Sequence, residues 1–128
     1  MDPIADLLNQ IRNAQAVSKS TISIPFSQIK YEIAKILEKQ GFVEKVERKG
    51  RKIQRVIEIT LKYVDGKAAI SGLKRISKPG QRIYSSWRGI KKVRGGYGML
   101  IISTSKGIKT DKEVRKQKLG GEVICEIW

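Results

Sequence analysis

Apolar residues in the first half of the chain follow two periods, one typical of helices and one typical of strands. Over residues 3–16 they recur every three or four positions, which predicts an amphipathic helix beginning at Asp2-Pro3. Residues 28–40 repeat that spacing between Ser27, a favoured N-cap residue, and Gly41, a favoured C-terminal stop. The apolar stripes of the two predicted helices are Ile4, Leu7, Leu8, Ile11, Ile29, Ile33, Ile36 and Leu37.

Alternation of apolar and polar residues, the pattern of a half-buried strand, occupies the rest of this half. Residues 21–24 lie between the two predicted helices, and their alternation predicts a short strand. Residues 43–47 and 53–63 are predicted to pair as antiparallel strands around a turn at residues 48–51. The first half is therefore predicted to be an α/β unit of two helices packed on a small sheet.

The second half has shorter apolar runs, separated by glycine, proline and polar turns. Strands are predicted over residues 69–76, 81–85, 98–103 and 122–128. A short helix ending near Lys118 is predicted after Thr110, because Thr110 and Glu113 have the spacing of a capping box. The predicted class is α+β, with an N-terminal α/β subdomain at residues 1–65 and a C-terminal, mostly β subdomain with one short helix at residues 66–128.

The charge of the chain adds a prediction about its partner. The sequence has 27 Lys and Arg against 12 Asp and Glu, a net charge of +15. Residues 65–128 carry +10 of this charge, and residues 66–110 contain no acidic side chain. A soluble surface needs no such imbalance, so a polyanion such as nucleic acid is favoured over a basic protein with no dedicated partner.

Residue types that enzymes and metal sites commonly use are scarce. There is no histidine, the usual general base near neutral pH and the commonest metal ligand. Cys125 is the only cysteine, lies in an apolar segment and is expected in the core. We therefore expect a non-catalytic protein without a cofactor or a bound metal, although a close pair of carboxylates stays open. No apolar run reaches about 18 residues, so no membrane segment is expected.

The Ser-Thr-Ser-Lys-Gly segment at residues 103–107 carries the most specific chemistry. Its three hydroxyls donate and accept hydrogen bonds at short reach, which suits the wide, shallow minor groove of an RNA helix. Gly107 permits close backbone approach, and the helix after Thr110 is expected to point free N–H groups at this loop. The alternative is a solvated turn whose serines cap the backbone. The acid-free surroundings favour RNA binding.

A second candidate is the Gly120-Gly121-Glu122 segment. Its paired glycines are more simply interpreted as a tight turn between helix and strand. Glu122 could accept a hydrogen bond from a base amino group or form a salt bridge with Lys118. Tyr84 could stack on an exposed base, although its alternation with Ile83 is expected to place one of the two in the core.

Taken together, these segments resemble the bacterial small-subunit ribosomal protein eight family. The resemblance covers essentially the whole chain in a series of ordered motifs. They are Asp2-Pro3-Ile4-Ala5-Asp6, Ile11-Arg12-Asn13-Ala14, Ile24-Pro25, Leu73 to Gly80 with Arg82 and Tyr84, Ser103 to Gly107, and Gly120-Gly121-Glu122 through Trp128. Lys109, Val114 and the basic connection at residues 91–94 depart from the family pattern, which leaves the pose of the helix after Thr110 open.

The resemblance implies a role in the ribosome. It implies direct binding to a distorted helical segment in the central domain of small-subunit rRNA, where the protein helps assembly. It also implies the small-subunit ribosomal proteins five and twelve as neighbours, and a monomer outside the ribosome. The expected location is the cytoplasm, with an organelle ribosome as an open alternative.

The resemblance assigns RNA contacts to the Ser-Thr-Ser loop, the Gly-Gly-Glu turn and Tyr84, and the basic residues are expected to meet phosphates. The candidate RNA-binding residues are Arg12, Lys78, Arg82, Tyr84, Lys91, Lys92, Ser103, Thr104, Ser105, Lys106, Gly107, Gly121 and Glu122. A free-standing translational regulator that binds its own mRNA would present the same surface. A nucleic-acid enzyme and a DNA-binding protein fit less well, because acidic clusters and a clear recognition helix are missing.

Overall fold

The computed structural model describes residues 2–128, which fall into two units. One unit is Pro3–Ser71, and the other is Gly72–Trp128 together with Asp2. The first unit contains two helices and a small sheet, and the second is mostly strands with one short helix, so the predicted α+β class is confirmed. Residues 66–71, which the sequence pattern grouped with the second half, cluster with the first unit. No helix within residues 2–128 has the length and apolarity needed to cross a membrane.

The first unit is built on a three-stranded antiparallel sheet. Its strand order is β1-β3-β2, and β4 and β5 form a separate two-stranded hairpin. The elements are α1 (Pro3–Ala16), β1 (Thr21–Pro25), α2 (Gln28–Lys39), β2 (Val43–Lys49), β3 (Val56–Leu61), β4 (Tyr63–Val64) and β5 (Lys67–Ala68). Both predicted helices are confirmed. The predicted strand over residues 53–63 is shorter, because Lys52–Gln54 form a 3-10 turn.

The core of this unit follows the apolar periods of the sequence. The stripe of α1 is buried, and the inward residues of β3 alternate with half-exposed ones, as the pattern predicts. At the start of α2 the rings of Phe26 and Tyr31 lie 5.9 Å apart, in the positions of a hydrophobic staple. Ser27 occupies the N-cap position, but its side chain makes no capping hydrogen bond.

The second unit is a five-stranded antiparallel sheet with α3 against it. The order is β6-β10-β8-β9, and β7 also pairs with β10, so β10 has partners on both sides. The elements are β6 (Leu73–Arg75), β7 (Tyr84–Ser85), β8 (Met99–Thr104), β9 (Gly107–Thr110), α3 (Asp111–Gln117) and β10 (Gly121–Ile127). Ile102, Ile90 and Val114 form a buried cluster in this unit.

The short helix and its capping box are confirmed. Thr110 Oγ1 accepts a hydrogen bond from the Glu113 N–H at 3.3 Å, and Glu113 Oε1 accepts one from the Thr110 N–H at 3.1 Å. The strands predicted over residues 69–76 and 81–85 are shorter, because β6 covers only residues 73–75 and β7 only residues 84–85. Backbone hydrogen bonds to β10 continue beyond these bounds at Ile76, Ser77 and Ile83. The strand at residues 107–110 was not predicted, since its four residues follow a polar turn without a clear apolar alternation.

Candidate nucleic-acid interface

Three of the predicted site residues lie side by side across neighbouring strands of the second unit. Glu122 on β10 is the register partner of Tyr84 on β7 and of Ser103 on β8. Directly opposed residues of antiparallel strands place their side chains on the same face of the sheet. The sheet thus brings an aromatic ring, a carboxylate and a hydroxyl into one row, hereafter the Tyr84–Glu122–Ser103 row.

Glu122 is held in place by two donors from the segment between β6 and β7. The hydroxyl of the fully buried Ser77 donates to Glu122 Oε2, and Arg82 Nη1 donates to the same oxygen at 3.0 Å. Ser77 Oγ in turn accepts the Ile83 N–H at 3.1 Å. The partners of Glu122 are therefore Ser77 and Arg82, and the alternative pairing with Lys118 is wrong.

These contacts keep Glu122 ionised. The hydrogen bond from Ser77 and then the interaction with Arg82 hold the pKa of Glu122 below its usual value of 4.5, against the opposing effect of burial. A charged carboxylate only accepts hydrogen bonds. The row therefore presents a fixed acceptor beside the cationic Arg82, whose side chain is 49% exposed.

We expect Glu122→Gln to weaken the acid sensitivity of folding. Because the pKa of Glu122 is lower in the folded than in the unfolded chain, its stabilisation is present above the unfolded pKa and is lost as pH falls through the folded one. Urea unfolding at about pH 7 and about pH 3 should show a smaller loss of unfolding free energy in the variant than in the parent protein. Glu126→Gln on the same strand is the matched control. Equal losses in parent and Glu122→Gln would contradict the expectation.

Tyr84 is exposed over 69% of its surface, and Ile83 is exposed over 38%. The expectation that one of the two would enter the core is therefore wrong. Tyr84 lies on β7, which has only two residues and pairs with β10 alone, and Ile83 lies in the segment just before this strand. An exposed ring beside a guanidinium is a suitable surface for base stacking.

The glycines of the Gly-Gly-Glu segment are required by close backbone contact. A Cβ on Gly121 would overlap the carbonyl oxygen of Ser103, and one on Gly120 would lie 2.9 Å from the carbonyl oxygen of Ser85. Neither glycine has a positive φ, and the left-handed residue that ends α3 is Lys118, with φ 55°. The left-handed residue of the connection is thus Lys118, with Gly120 also in it, whereas Gly121 belongs to β10 and allows this strand to pack closely beside Ser103.

The Ser-Thr-Ser-Lys-Gly segment forms the tip of the β8–β9 hairpin. Thr104 Oγ1 donates to the Gly107 carbonyl at 2.8 Å and accepts the Lys106 N–H at 3.1 Å, so this hydroxyl stabilises the turn. The side chain of Ser105 is exposed and has no hydrogen bond among the described residues. Gly107 has φ 106°, and the space where its Cβ would be is open. The capping interpretation thus applies to Thr104, whereas the Ser105 hydroxyl is exposed to solvent.

The N-terminus of α3, which was expected to lie behind the Ser-Thr-Ser-Lys-Gly loop, lies elsewhere. Thr110 pairs with Ile101, whereas Thr104 pairs with Gly107, so α3 begins at the opposite end of the hairpin from Ser105. There Asp111 Oδ1 accepts the Leu100 N–H at 3.1 Å. The prediction that helix N–H groups face the loop is wrong, because β9 separates them.

The remaining basic candidates are exposed side chains outside the Tyr84–Glu122–Ser103 row. Lys78 begins a tight turn that is closed by backbone hydrogen bonds in both directions with Gln81. Lys91 and Lys92 lie between the buried Ile90 and Val93, which anchor the connection. Arg12 lies on α1 in the first unit and donates to Asn9 Oδ1 at 2.8 Å.

Ser77 is the member of the site that the sequence did not reveal. A serine before Lys-Pro-Gly in a basic segment is typical of a solvent-exposed turn, yet this side chain is fully buried. Its hydroxyl links the backbone of Ile83 to the carboxylate of Glu122, and so fixes the segment that carries Arg82 and Tyr84. Pairing between strands distant in sequence creates this position, and no local pattern indicates it.

Comparison of the sequence with known proteins identifies a family. The sequence model of the family described as Ribosomal protein S8 matches residues 2–128. A protein named small ribosomal subunit protein uS8 from Caldanaerobacter subterraneus subsp. tengcongensis is 55% identical over 99% of this chain and 97% of its own length. Proteins of the same name from Mycoplasmopsis pulmonis and Exiguobacterium sibiricum are each 51% identical, over 99% of this chain and 96% and 97% of their own lengths.

Proposed function

The chain belongs to the ribosomal protein S8 family, and from this premise we propose that it is a constituent of the small ribosomal subunit. It binds directly to the central domain of small-subunit rRNA and helps that region to assemble. Its role is non-catalytic, its location is the cytoplasmic ribosome, and it is a monomer before it joins the subunit. Its protein neighbours are the small-subunit ribosomal proteins five and twelve.

The observation that carries the RNA-binding proposal is the Tyr84–Glu122–Ser103 row. It combines a stacking surface, an acceptor for base amino groups or 2′-hydroxyls, and a small hydroxyl, the groups that read the wide minor groove and unpaired bases of RNA. Gly121 and Ser77 keep the row in register. The exposed hydroxyl of Ser105 extends it at the hairpin tip.

The basic candidates have a different role in this proposal. Lys78, Lys91, Lys92 and Lys106 are exposed, and they neutralise phosphates without reading the sequence. Each phosphate that they neutralise adds to the salt dependence of binding. Arg12 supplies a cation from the first unit. Specificity therefore lies in the row and the hairpin tip, and much of the affinity lies in the surrounding charge.

The proposal is tested by Ser105→Ala. We expect a loss of on the order of 1 kcal/mol in affinity for a central-domain fragment of small-subunit rRNA, because one hydrogen bond is removed without disturbing the turn that Thr104 holds. Filter binding measures the affinity, and matched duplex DNA is the competitor. Ser20→Ala, at another exposed serine, is the matched control. Unchanged affinity in Ser105→Ala, or equal affinity of the parent protein for RNA and DNA, would contradict the proposal.

A further inference from the structure

The end of β2 and the loop that leads to β3 concentrate positive charge outside the surface described above. Residues 48–55, hereafter the basic hairpin, contain five cations and no acid. Lys49 is paired with Glu58 at 3.0 Å. Four cations remain without an acidic partner among the described residues, namely Arg48, Arg51, Lys52 and Arg55.

Two of these arginines are held in place by aromatic rings. The guanidinium carbon of Arg48 lies 5.7 Å from the ring centroid of Phe26 and 5.6 Å from that of Tyr31. The guanidinium carbon of Arg55 lies 4.9 Å from the centroid of Phe26. A ring contact of this kind limits the freedom of a long side chain while its terminal N–H groups stay available. Arg55 is fixed further by its Nε, which donates to the Lys52 carbonyl at 3.2 Å. The staple at the start of α2 thus orders a pair of guanidinium groups.

The tip of the basic hairpin presents little apolar surface. Ile53 is fully exposed, but the other residues from Gly50 to Gln54 are glycine or polar. A protein interface normally has aromatic or aliphatic anchors at its centre. Ordered guanidinium groups in a fork geometry instead match the oxygens of phosphate. The chemistry of the hairpin therefore favours a phosphate backbone over a protein partner.

We propose that the basic hairpin is a second RNA contact, in which Arg48 and Arg55 bind phosphates of the small-subunit rRNA. This inference rests on the proposed function, because it assumes that the chain meets rRNA. Arg51 and Lys52 add charge at the tip. The contact fixes the first unit on the RNA without reading its sequence, since phosphates carry no base identity.

The first experiment uses iron-chelate labels that cleave nearby RNA by hydroxyl radicals. Cys125 is buried, and burial raises the pKa of its thiol to about 12, so a new surface cysteine is the reactive one. Full-length Gln54→Cys and Ser105→Cys variants are labelled separately and bound to whole small-subunit rRNA. We expect cleavage from both positions, at different nucleotides. The unsubstituted protein, treated in the same way, gives the background.

The second experiment measures the salt dependence of binding to the same rRNA. Arg48→Gln combined with Arg55→Gln should lower the slope of log affinity against log salt by roughly 1.4 to 1.8, for two phosphate contacts at about 0.7 to 0.9 each. Lys19→Gln combined with Lys39→Gln removes two exposed cations from the same unit and is the matched control. Circular dichroism before binding confirms that each variant is folded.

The outcomes separate the two proposals. Cleavage from position 105 without cleavage from position 54, together with a slope equal to that of the control pair, overturns the basic-hairpin contact and leaves the proposed function intact. That result would assign the hairpin to a neighbouring protein. Cleavage from neither position overturns the proposed function and this inference together. Cleavage from both positions with a reduced slope supports the inference.

Discussion

Gly121→Ala is expected to lower the free energy of unfolding of the protein by about 1–3 kcal/mol, because the new methyl group would overlap the Ser103 carbonyl oxygen. The obstacle is backbone in a neighbouring strand, which cannot move aside as a flexible side chain can. Either β10 or β8 must shift, and the shift separates Glu122 from Ser103. Urea unfolding should show the loss of stability, and affinity for the central-domain rRNA fragment should fall in parallel.

Gly80→Ala is the matched control for this substitution. Gly80 lies in a turn of the same unit, its φ is not positive, and its Cβ would meet nothing within 4 Å. A surface change of this kind is expected to stay within about 0.5 kcal/mol. If Gly121→Ala were as stable as Gly80→Ala and bound RNA normally, the close approach of β10 to Ser103 would not be what requires the glycine.

Tyr84→Ala should have the largest effect on RNA affinity without a matching effect on stability. Removing an aromatic ring that stacks on a base costs about 1–3 kcal/mol of binding free energy. Because 69% of the Tyr84 surface is exposed in the free protein, little packing is lost. Tyr84→Phe keeps the ring and should retain most of the affinity. Filter binding measures the affinity of both variants, and urea unfolding measures their stability.

Tyr97→Ala tests whether the loss of RNA affinity in Tyr84→Ala depends on the position of the ring in the row or only on its exposure. Tyr97 is 89% exposed and also lies in the acid-free segment, but it is outside the Tyr84–Glu122–Ser103 row. We expect it to lose much less affinity than Tyr84→Ala. Equal losses would show that any exposed ring in this basic segment serves, and the row would lose its special role.

The sequence predicted best those elements whose signals are local. The spacing of Ile4, Leu7, Leu8 and Ile11 identified α1 with its bounds, and the capping box of Thr110 and Glu113 identified α3. These signals lie within one or two turns of chain, where propensity and hydrogen bonding act directly. The charge map likewise depends only on composition. The predictions of α1, of α3 and of the charge distribution therefore do not require knowledge of which strands pair.

Local sequence signals cannot predict the features that depend on pairing between strands distant in sequence. Gly121 looked like a turn residue, yet its size is limited by Ser103, which is far from it in sequence. Ser77 precedes a Lys-Pro-Gly turn and has no local sign of burial, yet it is buried beneath Glu122. Residue type and family resemblance point to Tyr84, Ser103 and Glu122 as candidates. Their alignment in one row became visible only with the register of β10.

The place of β10 within its sheet has a consequence for synthesis. This strand pairs with β6, β7 and β8, although residues 121–127 are the last of these segments to be translated. A nascent chain that lacks residues 121–127 contains β6, β7 and β8 without the strand that pairs with all three. Until β10 leaves the exit tunnel, chaperones or slow strand formation must protect the edges that β10 would cover from pairing wrongly. The Tyr84–Glu122–Ser103 row therefore forms only in this late step, because Glu122 belongs to β10, while the first unit is free to fold earlier.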